Sequence, residues 1–281
     1  MKKILSVLLI AGFTFGVSAQ DKKIRAGLVM GFTMNSLKVQ TTKIEKNGIG
    51  AGFTIGMNGD YNINENIAIS SGLEFDLENF SVNYGNPNNS SVGNVFYAYS
   101  DTDIKKYKDG AVEDFTDSSA FELMTRTFRS KYVTLPFFLK FQTNMIGSWK
   151  YYGKFGLRTS FLAGVRMDDE GYDAKYLNGE FNRDAGSTKI LENMKPVGIK
   201  KGLTPVRMGI GIYGGAEWNF TGSTNLFMEA GFNYGVTPNL YSKSGHLADK
   251  VTAADGTVTY SNLDVKSNPQ HVFQLKVGLL F

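Results

Sequence analysis

Thirteen charged side chains fall on one side of a period-2 alternation that recurs in eight segments, while the other side of each segment is apolar. They are Arg25, Asp60, Glu74, Asp76, Glu78, Lys140, Lys154, Arg158, Arg166, Arg207, Glu217, Glu229 and Lys276. Successive side chains of a strand point to opposite faces, so each segment reads as a strand between two unlike environments. Two such apolar rows can face each other as the core of a soluble sandwich. They can equally form one continuous lipid-facing surface, with the charges inside a closed barrel. Periodicity alone permits both.

The alternation is explicit in residue order. Strand one runs from Ile24 to Asn35 with Leu28, Met30, Phe32 and Met34 on its apolar side, and strand two runs from Ile49 to Tyr61 with Phe53, Ile55 and Met57. Strand three, Ile67 to Glu78, presents Leu73, Phe75 and Leu77. Strand four, Tyr132 to Gln142, presents Val133, Leu135, Phe137, Leu139 and Phe141, and Pro136 within it removes a ladder donor and predicts a bulge or local break. Strand five spans Tyr151 to Arg166, with Val165 read as outward and Arg166 as inward. Strands six (Val206 to Phe220) and seven (Asn225 to Val236) flank a tight Thr221-Gly222-Ser223 turn, and strand eight is His271 to Phe281.

The connections decide between the two architectures. Those after strands two, four and six are short, whereas those after one, three, five and seven are longer and polar. Outer-membrane barrels show this asymmetry, and sandwiches do not alternate so strictly. Trp218, Phe220, Tyr61, Tyr151 and Phe281 cluster near the short-turn ends, as an interfacial girdle does. The expected fold is therefore all-β: a single eight-stranded antiparallel up-and-down transmembrane β-barrel with short periplasmic turns and long extracellular loops. Within the long connections, Val92 to Tyr99 is expected to find a pairing partner above the membrane. Asp255-Gly256 predicts a small hairpin between residues 251–254 and 257–260.

The N-terminus reads as an export signal. Lys2 and Lys3 precede a short apolar run from Ile4 to Phe15, and Val17-Ser18-Ala19 has the small-x-small cleavage pattern. Residues 1–19 are thus expected to be removed, leaving 20–281 as the barrel domain of the cell outer membrane. Without Lys2 and Lys3 the 30 basic residues become 28 against 26 acidic, with no basic stripe, so no nucleic-acid partner is implied. The absence of cysteine excludes disulfides and thiolate chemistry.

An eight-stranded barrel is just wide enough for side chains to fill it. The inward charges then imply a structural lumen network of salt bridges: Arg25, Glu74, Asp76, Lys140, Lys154, Arg158, Arg207, Glu217, Glu229 and Lys276 are its candidate members. If Phe220 pairs with Thr224, Glu229 faces Gly215 and lies one diagonal step from Glu217. Two carboxylates that close need a cation, and Lys154 and Lys276 on the flanking strands are the candidates, with Lys276 expected to meet Glu229.

The Tyr132–Lys140 segment, the glycine-rich strand five, Phe232-Asn233-Tyr234-Gly235-Val236-Thr237 and the terminal Phe281 together resemble the PorT-like family of outer-membrane β-barrel proteins. The resemblance spans essentially the whole mature chain. It implies a non-enzymatic structural or accessory protein, of a kind associated with protein secretion to the cell surface. Outer-membrane lipid, the barrel-assembly machinery and protein partners at the extracellular loops are the implied contacts, and a monomeric barrel is expected. It also implies that Phe281 acts as an assembly signal at the periplasmic rim.

Other residue groupings in the sequence resemble chemical sites. Gly209-x-Gly211-x-x-Gly214 matches a dinucleotide-binding pattern, but alternation continues through Trp218 where a helix is required, so no cofactor is assigned. His271 beside Ser267 lacks an acid on the same face, and Glu217 with Glu229 is explained by a salt-bridged lumen, so no catalytic residue is assigned. Asp168-Asp169-Glu170 with Asp173 lacks the calcium-loop spacing and reads as a solvated acidic loop rather than a metal site. A narrow pore is the second reading and a lipid-modifying enzyme the third.

Overall fold

The computed structural model describes residues 23–86, 93–108, 111–112, 119–184, 186–197, 202–241, 243 and 245–281. The export segment at 1–19 and Val92 lie outside the described residues. Every regular element among those described is a strand. Eight long strands carry the architecture: β1 (Ile24–Ser36), β2 (Glu45–Asn62), β3 (Ile67–Asn83), β4 (Ser119–Gln142), β5 (Trp149–Leu177), β6 (Val206–Asn219), β7 (Asn225–Gly235) and β8 (His271–Leu280). Each pairs antiparallel with the next, and β8 returns to β1, so the ladders close into a ring. The other six strands of the fourteen-stranded sheet are short and lie in the connections.

The ring is apolar outside and polar inside. Phe137 is 59% exposed and Ile212 63%, whereas Asp76, Lys140 and Glu217 are buried at 2% or less. Water would impose the reverse distribution, and an exposed apolar surface this continuous marks a lipid or partner interface. At the short-turn end, Trp149 stacks on Trp218 at 6.1 Å and Trp218 meets Phe220 edge-on at 5.4 Å. Amphipathic rings suit the boundary between hydrocarbon and water.

Along the β4–β5 ladder the strict alternation fails at two positions, and both failures move side chains across the wall. The β4–β5 register shifts between Leu123 and Thr125 and again between Lys131 and Tyr132, where Tyr132 faces Leu162 but Lys131 faces Gly164. Ala163 is therefore an extra residue, and a bulge of this kind exchanges inside for outside along the strand. Val165, read as outward, is buried, and Arg166, read as inward, is exposed. Pro136 produces the expected local break instead of a bulge. The β3–β4 ladder lapses between Ser71↔Phe137 and Glu74↔Thr134 without losing register, and the Ser71 hydroxyl donates to the Pro136 carbonyl at 2.9 Å.

The long connections are not simply polar loops. Strands β4 and β5 continue well beyond Tyr132 and Arg166, into stretches read from sequence as loop. Val95–Ser100 pairs with β4 and with Ala248–Thr252, which forms the expected hairpin with Val258–Asn262. Gly256 supplies the positive φ of +85° that its turn requires. All four long connections contribute to one buried apolar cluster that includes Leu37, Tyr97, Met194, Leu203 and Val265, so this end carries a folded cap. Its apolar residues come from distant segments at irregular spacing, which is why no periodicity announces them.

Candidate functional site: the charged interior and its cap

The side chains within the ring form successive groups along its axis. Nearest the short turns, Arg25 lies directly across the ladder from Asp60 and donates to it at 2.9 Å and to Glu217 at 2.6 Å. Lys140 binds the same two carboxylates, reaching Asp60 at 2.6 Å, and it also hydrogen-bonds Glu217. These four residues give two charges of each sign around one point.

The next group resolves the crowding of Glu217 and Glu229. Phe220 N donates to the Thr224 carbonyl, and Glu229 faces Gly215, as the turn geometry requires. Lys154 Nζ lies 2.9 Å from Glu229, and the Tyr152 hydroxyl donates to the same carboxylate at 3.0 Å. Lys140 and Lys154 oppose each other directly across the β4–β5 ladder, an arrangement that costs stability by itself. Here it is offset twice. Each ammonium has its own carboxylate partners, and the Tyr152 ring lies 4.3 Å from Lys140 and 5.0 Å from Lys154.

Midway along the ring, Arg158 bridges Glu74 at 2.8 Å and Asp76 at 2.7 Å, and Asp76 also accepts from the Thr54 and Thr134 hydroxyls. Lys276 departs from expectation. It does lie opposite Glu229 in the β7–β8 ladder, but its Nζ binds Glu74 at 2.6 Å. In so narrow a ring a long side chain reaches across the interior as readily as to the neighbouring strand. Gln274, Tyr213 and Asn233 hydrogen-bond one another beside Arg158. Gly231 leaves the space for the Tyr213 ring, since a Cβ there would stand 1.9 Å from it.

Toward the cap, Arg207 forms a bidentate pair with Glu78 at 2.9 Å and lies over the Tyr132 ring at 3.7 Å. With Arg166 outside, the interior holds Arg25, Lys140, Lys154, Arg158, Arg207 and Lys276 against Asp60, Glu74, Asp76, Glu78, Glu217 and Glu229, an even balance. A cavity of about 50 Å³ lies between Arg158 and Arg207, and one of about 550 Å³ opens at the short-turn end beside Arg25, Gln142 and Lys150. They share no lining residue, and the Lys140 and Lys154 groups stand between them.

The cap has a polar centre that the sequence did not announce. Arg126 donates to both oxygens of Asp169 at 2.7 Å, with the two residues 3% and 0% exposed. The guanidinium lies 5.3 Å from the Tyr97 ring centre, and burial pushes the nearby Tyr84 hydroxyl up to about 12. Asp168 pairs with Arg129 and Asp173 with Lys189, so the stretch read as a solvated acidic loop is strand, and each of these aspartates has a basic partner. Among the described residues no cluster suited to a metal ion occurs.

The remaining candidates fall elsewhere. The His271 ring stacks on Tyr234 at 4.6 Å, and the Ser267 hydroxyl accepts from the Asn239 and Leu240 amides. Gly209 and Gly211 are inside the ring, whereas Gly214 is on its outer surface, and the strand continues through all three. Phe281 is 42% exposed beside the closing seam, where its amide donates to the Ala26 carbonyl at 2.8 Å.

No curated protein matches the sequence. Among solved structures, the chain is similar to the outer membrane protein OprG of Pseudomonas aeruginosa, with 11% identity, 94% of this chain and 99% of that one covered, and a TM-score of 0.41. It is also similar to Neisserial surface protein A, with 12% identity, coverage of 92% and 96%, and a TM-score of 0.34. A third is the attachment invasion locus protein Ail of Yersinia pestis, with 11% identity, coverage of 92% and 100%, and a TM-score of 0.33. Residues 18–241, well over half of the chain, match the family model for the outer membrane protein beta-barrel domain, and the chain belongs to that family.

Proposed function

We propose that this chain is a non-catalytic, monomeric outer-membrane barrel of eight strands whose lumen is a structural charge network and whose folded outer cap meets protein partners. The observation that carries the reading is the balance of the interior, in which each of the six basic and six acidic side chains named from Arg25 to Arg207 has an opposite charge within hydrogen-bonding distance. A buried network of this kind fills space that a pore needs and occupies the carboxylates that an acid/base pair needs. The likeness of the Tyr132–Lys140 and Phe232–Thr237 segments to the PorT-like family supports an accessory role in secretion or surface assembly. In this reading residues 1–19 direct export, and Phe281 is read by the barrel-assembly machinery.

Photo-crosslinking in intact cells tests the partner role. A crosslinking residue at Ile190 or Val251, both exposed on the cap, is expected to capture discrete proteins, and one at lipid-facing Phe137 to capture none. Absence of protein adducts from both cap positions would remove the partner role.

A further inference from the structure

The bulge at Ala163 places a cation on the outer wall, where strict alternation would have hidden it. Arg166 is exposed and stands directly opposite Arg129 across the β4–β5 ladder. Lys131, also exposed, faces Gly164 and so lies one diagonal step from Arg166. A Cβ built at Gly164 meets nothing within 4 Å, so the floor between the two cations is open.

These charges lack the compensation that the interior provides. Arg129 is held by Asp168 at 2.8 Å and by Asn193 at 2.9 Å. Among the described residues Lys131 and Arg166 form no ion pair. Like charges directly opposite in a ladder are destabilising. Inside the ring the same opposition of Lys140 and Lys154 is answered by three carboxylates and a tyrosine ring. Outside, Asp168 answers Arg129 alone.

Their height on the wall identifies what can answer the rest. Phe141, Leu139, Phe137, Leu135 and Val133 form the outward row of β4 below Lys131. From residue 141 to residue 131 a strand rises about 33 Å along its own axis, or about 25 Å along the membrane normal at a tilt of about 40°. That matches the thickness of the apolar band, so Lys131 and Arg166 sit where lipid headgroups begin. Beneath them the surface is hydrocarbon-compatible: Leu77 flanks Lys131, and Val133 pairs with Phe161.

We propose that Lys131 and Arg166 form a binding site on the outer wall for the phosphorylated headgroup of an outer-leaflet lipid. The guanidinium fork takes two phosphoryl oxygens and the ammonium a third, while the acyl chains lie along Leu77, Val133 and Phe161. The apolar floor directly below the cations selects a lipid over a soluble polyanion, which has no use for it. Filling the site also relieves the Arg129–Arg166 repulsion, so lipid binding and β4–β5 pairing support each other.

The test uses the full mature chain in detergent, with phosphorylated lipid A, dephosphorylated lipid A and a soluble sulfated polysaccharide as probes and binding read by native mass spectrometry. The wild-type protein is expected to retain phosphorylated lipid A in preference to the other two. K131Q/R166Q is expected to weaken that binding about 30-fold, since each cation near a charged lipid surface contributes about fivefold. Binding of dephosphorylated lipid A is expected to stay unchanged. R166K, which keeps the charge but loses the fork, is expected to fall in between, and it remains informative if the double variant does not fold. Equal retention of both lipid forms, an unaffected double variant, or stronger retention of the soluble polyanion than of phosphorylated lipid A would each overturn the proposal.

Discussion

Replacing Arg158 by glutamine tests whether the interior is as dry as its geometry requires. The guanidinium is the cation shared by Glu74 and Asp76, at 2.8 and 2.7 Å, and all three residues are buried. Arg158→Gln leaves Lys276 on Glu74 and two hydroxyls on Asp76, with one uncompensated negative charge enclosed. Breaking a buried pair in this way costs about 3–5 kcal/mol. In a water-filled lumen the same pair is screened and is worth about 0.2–1 kcal/mol. Reversible urea unfolding in lipid vesicles separates the two values. Adding Asp76→Asn restores neutrality and is expected to recover about 1–3 kcal/mol of the loss, as coupled neighbours do. A single-variant cost below about 1 kcal/mol, with no recovery in the double variant, would refute a dry, mutually dependent network.

Three further predictions follow from the cap and the seam. Arg126→Leu strands Asp169 in the apolar cluster and is expected to make the outer connections sensitive to external protease in intact cells, while the heat-dependent gel shift of the barrel persists. Burial raises the Glu122 carboxyl above its ordinary value, with Arg183 at 3.5 Å only partly opposing it. The folded cap therefore prefers protonated Glu122: its contribution is fully present below the ordinary glutamate range and is lost as pH rises through the raised value. Hydrogen-exchange protection in the cap, corrected for the intrinsic rise of exchange with pH, is expected to fall over that interval in the wild type and to stay level in Glu122→Gln. Deleting Phe281 is expected to lower the assembled fraction in cells several-fold while leaving refolding of purified protein into detergent intact, which pulse-chase gel-shift analysis would resolve.

The strands were legible because lipid and a charged interior impose opposite demands on alternate residues, and Phe53, Ile55 and Met57 on β2 show this in its simplest form. What escaped was of three physical kinds. A single extra residue at Ala163 exchanges the faces of Val165 and Arg166, and nothing in an Ala-Gly-Val run marks it. The partner of Lys276 lies across the interior on β3, so reasoning from adjacent strands pointed to Glu229, while that carboxylate is held by Lys154. The cap is built from single apolar residues such as Tyr84, Leu203 and Leu247, brought together from separate connections, and composition alone made those stretches look like solvated loop. The lumen charges themselves were readable, but which charge meets which required the ring.

The most direct test of the central claim is the conductance of the purified mature protein in a planar bilayer. With the Lys140 and Lys154 groups standing between the two cavities, the account predicts no steady porin-sized current from the wild-type protein. A stable, salt-dependent current of that size from wild-type protein would contradict it and turn the charged interior into the lining of a channel.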